Sequence, residues 1–328
     1  MTEVHDARLS RRAFMATSAV ASLAAAGAHG VVTPRLRAGL IGRGAGGRQL
    51  LAALAAAGGA VELVSVGQRD REETSWQRLV ERDDLDAILI ATPDHCHTEM
   101  ADAALRAGKH VYVLPPFART SKEARHLEGL ALDCGRVLQV GMDPAEDTRW
   151  ASARHALTYT GAPLWIQAST PRDISPADAH WQRQRHCSHG PAARRIYNML
   201  YPLQYHLDLG VPERATALGG VFHGKSEATP DGLLMTLRYE NGVTVVLSDQ
   251  RPGAGHESKC SLRGLRDQIA IPLRATSGGL AEDLALFATS IAGERKTAKK
   301  RLRAATIAQE AVGRAMDLWE RCDAERLT

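Results

Sequence analysis

The sequence predicts an α/β protein in two parts. A shortened, doubly wound parallel sheet comes first, and an α+β domain with an open, mostly antiparallel sheet and a C-terminal helix follows. Three observations predict this. Unbroken apolar runs alternate with helical stretches between Arg35 and Asp143, as parallel strands buried on both faces require. A glycine turn joins the first of these runs to the first helix. Beyond Asp143, β-rich segments follow one another closely, two of them around an Asn241-Gly242 hairpin turn. A chain of 328 residues with 44% hydrophobic and 24% charged residues is long enough and apolar enough for two such cores.

The first strand, turn and helix lie in "RLRAGLIGRGAGGRQLLAALAAAGG", Arg35 to Gly59. Gly42-x-Gly44-x-x-Gly47 has dinucleotide spacing, placed after a strand and opening a helix. The first glycine permits the tight turn, the second lets a pyrophosphate approach the backbone, and the third lets helix and strand pack closely. Ile41, Gly42, Arg43, Gly44 and Gly47 are therefore candidate cofactor contacts, and the domain reads as a Rossmann fold. The second strand, "VELVSVGQRD", ends in Gln68 and Arg69 where NAD-binding domains usually carry an acidic residue for the ribose. An amide and a guanidinium tolerate a phosphate there, which leans toward NADP over NAD. The next strands are "DAILIATP" from Asp86, "KHVYVL" from Lys109 and "RVLQVGM" from Arg136. Asp94 is placed to cap the helix that follows Pro93. Asp94, His95 and His97 could be read as metal ligands, but no second ligand cluster accompanies them, and no metal is expected.

A net charge of +4 with scattered basic residues gives no argument for nucleic acid. The one dense run, "ERKTAKKRLRAA" from Glu294, reads as a solvated helix face. Five cysteines without CxxC spacing argue against a zinc knuckle or a disulfide framework, and leave room for a single bridge if the protein is exported. At the N-terminus, Ser10-Arg11-Arg12-Ala13-Phe14-Met15 has the order of a twin-arginine signal. An Ala-rich apolar run and the small-residue site Ala26-Gly27-Ala28 follow it. The expected organisation is a signal peptide over 1–28, a dinucleotide-binding domain over 35–143 and a substrate and oligomerisation domain over 144–328. The protein would then be periplasmic or otherwise extracytoplasmic, with no membrane anchor after cleavage.

In order and spacing, "GLIGRGAGGR", "DLDAILIATPDHCH", "ALRAGKHVYV", "PPFART" and "GRVLQVGMD" resemble the Gfo/Idh/MocA family of glucose–fructose oxidoreductase and inositol dehydrogenase. The likeness covers Leu36 to Asp143 and continues more loosely to Ser248. It implies a nicotinamide cofactor on the Gly42–Gly47 turn, contacts from Thr92, Pro93 and His97 near the nicotinamide ribose, and a sugar or polyol substrate. It also implies a second-domain sheet that walls the substrate site and often forms a homo-oligomer interface.

Three departures qualify the resemblance. Leu114-Pro115-Pro116 stands where the family has Glu-Lys-Pro, so Pro115 replaces the lysine beside the reacting C–H bond. Lys109 lies at the wrong end of its strand to substitute, and Lys122 lies on the following helix. The family's Asp/His pair on the helix within Ala192–Gly220 is also missing. Asn198 and Tyr201, three apart and able to share a face, are the candidate substrate contacts there, with Tyr201 the remaining candidate acid or base. His206 and Asp208, two apart, point to different sides. Between Asp70 and the third strand there is room for one helix where the family has a helix, a strand and a helix. The basic stretch Asp178–Arg195, with Arg183, Arg185, His186, His189, Arg194 and Arg195, reads as a solvated loop or as a site for an anionic or sugar ligand. Three functions stay open: a sugar or polyol oxidoreductase with degenerate catalytic residues, a non-catalytic nucleotide- or sugar-binding subunit, and a redox-neutral NAD-dependent glycosidase-like enzyme.

Overall fold

A computed structural model describes residues 35–57, 59–67, 75–142, 148–171, 180–184, 186–220, 229–250, 259–264, 267–272, 279–293 and 295–325. The proposed signal segment, Gln68 and Arg69 lie outside them.

The first domain is a five-stranded parallel sheet of β1 (Leu36–Ile41), β2 (Val61–Gly67), β3 (Ala87–Ile90), β4 (His110–Val113) and β5 (Leu138–Val140), in the order β2-β1-β3-β4-β5. Its helices are α1 (Ala45–Ala56), α2 (Trp76–Glu81), α3 (Asp94–Arg106) and α4 (Ser121–Asp133). Alternation along each strand sorts the side chains onto two faces. Ile88, Ile90, Val111, Val113 and Leu138 pack against α2, α3 and α4. Ala38, Leu40, Leu89 and Tyr112 pack on the other face against Leu50 and Leu54 of α1. Among the described residues only α2 lies between β2 and β3, and the α1 face gains a second cover from the far end of the chain. Leu284 and Phe287 of α7 (Gly279–Ala292) join the cluster, with the Tyr112 and Phe287 rings edge to face at 5.6 Å.

The second domain contains α5 (Thr148–Thr160), β6 (Trp165–Pro171), a 3₁₀ turn (His180–Arg183) and α6 (Pro191–Leu207). The strands β7 (Pro212–Gly220), β8 (Gly232–Tyr239), β9 (Thr244–Gln250), β10 (Lys259–Arg263) and β11 (Gln268–Pro272) follow, then α7 and α8 (Arg295–Glu325). The sheet order is β11-β10-β6-β9-β8-β7, antiparallel except for the β6–β9 pair. The Asn241-Gly242 turn forms as expected: Gly242 has φ 84°, and the Asn241 side chain accepts from Val243 N at 3.1 Å. Met235, Leu237, Val245 and Leu247 face α6 and α8, whereas Trp165, Leu218 and Leu234 stand exposed on the sheet.

One expectation fails in α8. The basic run is not uniformly solvated: Arg301 is fully buried and ion-paired with Asp283 of α7, itself fully buried. Lys296, Lys299, Lys300 and Arg303 keep the exposed face. The reason is helical phase, since Ala298, Leu302 and Ala305 turn the Arg301 side of the helix inward. Among the described residues no helix is long and apolar enough to cross a membrane, and no group of three His, Cys, Asp or Glu could hold a metal ion.

Candidate functional site: a glycine turn and a cleft along the same helix

Ile41 ends β1 fully buried, and the chain turns sharply at Gly42, with φ 113°. A side chain at Gly42 would place its Cβ 2.4 Å from the Ala91 carbonyl oxygen, and one at Gly47 would lie 2.1 Å from that of Gly42. Both glycines are therefore required by close backbone packing, as the spacing predicts. At Gly44 nothing lies within 4 Å of where a Cβ would stand, so the mouth of the turn is open. Gly44 is also the N-cap of α1, with no side-chain cap and no acidic residue in the first turn. The uncapped amides and the helix dipole thus point at open space, the arrangement that receives a phosphate. Arg43 is exposed at the same mouth. The residues present fit a dinucleotide: Gly42 to Gly47 would hold its diphosphate on main-chain N–H groups.

A cleft of about 500 Å³ is lined by Gln49 to Ala56 of α1, the loops after β4 and β5, α6 and the start of α7. Leu114 and Pro115 form part of its wall, and the Leu114 side chain lies against Gly46. The Pro115–Pro116 bond is cis. The loop after it is held by contacts that do not involve position 115. His97 Nδ1 lies 2.8 Å from the Pro116 carbonyl oxygen. Glu123 accepts from the backbone N–H groups of Arg119 and Thr120 at 2.8 and 3.1 Å, and Thr120 caps α4 in return. His189 and Gln309 both reach the Arg119 carbonyl. Position 115 itself offers this loop no titratable group. Lys109 is committed elsewhere, donating to the Arg82 and Leu85 carbonyls at 2.7 and 3.0 Å, and Lys122 is exposed on α4.

His97 also meets the Thr92 carbonyl through Nε2 at 2.8 Å, so its buried ring braces the loops after β3 and β4 with both nitrogens. Burial holds its pKa below the ordinary value, opposed by Asp94 and the two carbonyls. The Thr92 hydroxyl faces the Met100 sulfur at 3.6 Å, and Pro93 is the N-cap residue of α3. The expectation that Asp94 caps this helix is corrected: no side-chain cap bond forms. Its buried carboxylate instead accepts from Arg194 Nη1 of α6, and from Ser188 Oγ at 3.4 Å. An ionic partner brought in by the second domain outweighs the local backbone bond.

Asn198 and Tyr201 do not share a face. Asn198 is exposed and lines the cleft one turn from Arg194. Tyr201 turns into the core between the domains, and its hydroxyl donates to the Val140 carbonyl at 3.0 Å. Burial pushes its pKa well above the ordinary tyrosine value. His206 is buried, stacked at 4.9 Å on Trp150, and Asp208 is the exposed left-handed C-cap of α6. In the basic stretch, Arg195 forms a bidentate pair with buried Asp249, while Arg194 faces the cleft. Arg185 lies outside the described residues.

Sequence reasoning missed the polar network beneath the cleft floor. Asp283 accepts from the Tyr112 hydroxyl at 2.7 Å, from Met142 N at 3.1 Å, from Gln139 and from Arg301. Its only local signal is an acidic residue embedded in the apolar pattern of "GLAEDLALF".

Residues 36–142 match the oxidoreductase family with an NAD-binding Rossmann fold, Gfo/Idh/MocA. The first domain is thus similar to that family. Three relatives resemble more or less of the chain. An uncharacterized oxidoreductase of Escherichia coli is 35% identical over 132 residues, 37% of this chain and 37% of its own length. The 1,5-anhydro-D-fructose reductase of Ensifer adhaerens is 28% identical over 219 residues, 67% of this chain and 56% of its own. The levoglucosan dehydrogenase of Pseudarthrobacter phenanthrenivorans is 25% identical over 241 residues, 64% and 58%. The chain thus spans between 37% and 58% of the length of these relatives. Among solved structures, an oxidoreductase of Thermotoga maritima superposes with a TM-score of 0.72 at 16% identity, covering 86% of this chain and 97% of that one. GenD2 from gentamicin A biosynthesis, in complex with NAD, gives 0.72 at 16%, covering 86% and 94%. Biliverdin reductase of Synechocystis, in complex with biliverdin and NADP+, gives 0.66 at 21%, covering 86% and 98%. The two-domain fold is therefore common to the described chain and these proteins.

Proposed function

We propose that the protein is an exported NAD(P)-dependent oxidoreductase of a sugar or polyol, working with a depleted set of catalytic side chains. One observation carries this reading: an open, uncapped glycine turn starts α1, and the same helix with Leu114, which lies against Gly46, walls a 500 Å³ cleft, a size typical of small-molecule sites. A bound nicotinamide cofactor supplies hydride exchange there. The chain's own contribution is to bind through the Gly42–Gly47 main chain, to wall the cleft with Leu114 and Pro115, and to orient substrate with Arg194 and Asn198. Among the described lining residues none is an acid or base near neutral pH. Loss of a general acid–base typically lowers rates by about 10²–10⁴-fold. A slow enzyme is expected, with the proton exchanged with water. The reductase and dehydrogenase names of the sugar-acting relatives support the substrate class. Gln68 and Arg69 favour NADP, the Arg11-Arg12 leader favours export, and Trp165, Leu218 and Leu234 on the open sheet favour a homo-oligomer.

Pro115 favours a second reading, in which the protein binds nucleotide without turnover. Titration with NADH and NADPH, read by nicotinamide fluorescence, tests the shared part of both readings: no binding of either refutes them. Given binding, a screen of sugars and polyols at the nicotinamide absorbance band separates them. Turnover supports the enzyme, and silence across the screen supports the binding protein.

A further inference from the structure

We infer that Arg194 is the anchor for a carboxylate, so that the cleft takes sugar acids in preference to neutral sugars. The inference rests on the reading of the cleft as a substrate site. Arg194 is the single charged residue among the described residues that line it; the amides of Gln49 and Asn198 are polar neighbours, and the remaining wall is mostly apolar. A guanidinium has five N–H donors, and here Nη1 is held by Asp94. The Asp94 side chain is only 4% exposed, while that of Arg194 is 26% exposed, so the carboxylate is sealed and the cation reaches the cleft. Asp94 lies in the first turn of α3 and also accepts from Ser188. The positive helix end offsets part of its charge, which leaves the guanidinium incompletely neutralised. Trp181, 5.8 Å from the Arg194 carbon Cζ, flanks the planar group and limits its rotation. A fixed planar fork beside apolar walls matches a planar carboxylate. Asn198, one turn along the same helix face, is placed to hydrogen-bond a hydroxyl of the same ligand.

The test measures gluconate, sorbitol and sorbitol 6-phosphate binding to the full chain by calorimetry, with and without NADPH. Gluconate is expected to bind roughly tenfold to a hundredfold more tightly than sorbitol, the range a charge-assisted bond supplies. Arg194→Gln alone strands a buried carboxylate and is prone to unfold. The informative variant is therefore Asp94→Asn with Arg194→Gln, which keeps an amide pair in place of the ion pair. It is expected to abolish the gluconate preference while NADPH affinity and Tm stay close to the parent values. Arg194→Lys is expected to retain part of the preference. Equal binding of gluconate and sorbitol, tighter binding of the sugar phosphate, or a preference that survives the double variant would overturn the inference. Failure to bind NADPH strikes the oxidoreductase reading instead, because the carboxylate preference is also measured without nucleotide.

Discussion

At the start of α1, the surface offered to a ligand is main chain: the Gly42–Gly47 turn leaves Gly44 open and the helix end uncapped. On the α6 side, the surface is made of side chains, Arg194 and Asn198, and the loop after β4 adds Leu114 and Pro115. The first half depends on what glycine lacks, so few substitutions improve it and most destroy it. The second half depends on what each side chain carries, and it can change its chemistry while its frame persists. His97, Glu123, His189 and Gln309 hold the loop after Pro115, so its shape does not depend on the side chain at position 115.

The largest expected effect tests whether the side-chain half is also supported from below. Asp283→Ala leaves Arg301 buried without its carboxylate and frees Tyr112 and Met142 N. A loss of about 3–5 kcal/mol is expected in urea unfolding; a loss below 1 kcal/mol would show that the network is not structural. Gly47→Val attacks the main-chain half. Its Cβ meets the Gly42 carbonyl, the turn must open, and nucleotide affinity is expected to fall at least about 100-fold, roughly 2.7 kcal/mol. Undiminished NADPH binding by this variant would contradict the cradle. Pro115→Lys sharpens the contrast by restoring a proton-transfer group to a loop already in place. Turnover is expected to rise by about 10²-fold. No rise, with nucleotide binding intact, would place the deficit on α6. The smallest effect is that of Tyr201→Phe, which removes the hydrogen bond to Val140. Stability should drop by about 1 kcal/mol while kcat moves less than twofold. A drop in kcat beyond tenfold would return Tyr201 to the site.

The division also explains what the sequence disclosed. The five parallel strands and the glycine turn are written in local pattern, because apolar runs and backbone constraints act over a few residues. The Asn241-Gly242 hairpin was legible for the same reason. The partners of side chains were not. Asp94 finds Arg194 a hundred positions away, and Tyr112 finds Asp283 across 171. No local pattern specifies such a pair, so Asp94 read as a cap and Arg301 as a solvent-facing charge. The separation of Asn198 from Tyr201 was hidden too. Spacing fixes their angle around α6, but only the packed structure shows which side of the helix meets the cleft.

The cover that α7 lays over the nucleotide-binding sheet has a consequence for biosynthesis. Leu284 and Phe287 shield Leu40, Leu89 and Tyr112, yet they leave the ribosome well over a hundred residues after β5. A nascent chain that has emerged only through β5 holds a half-clad sheet. The core of the first domain is therefore completed only when α7 has emerged, long after the last strand of that domain.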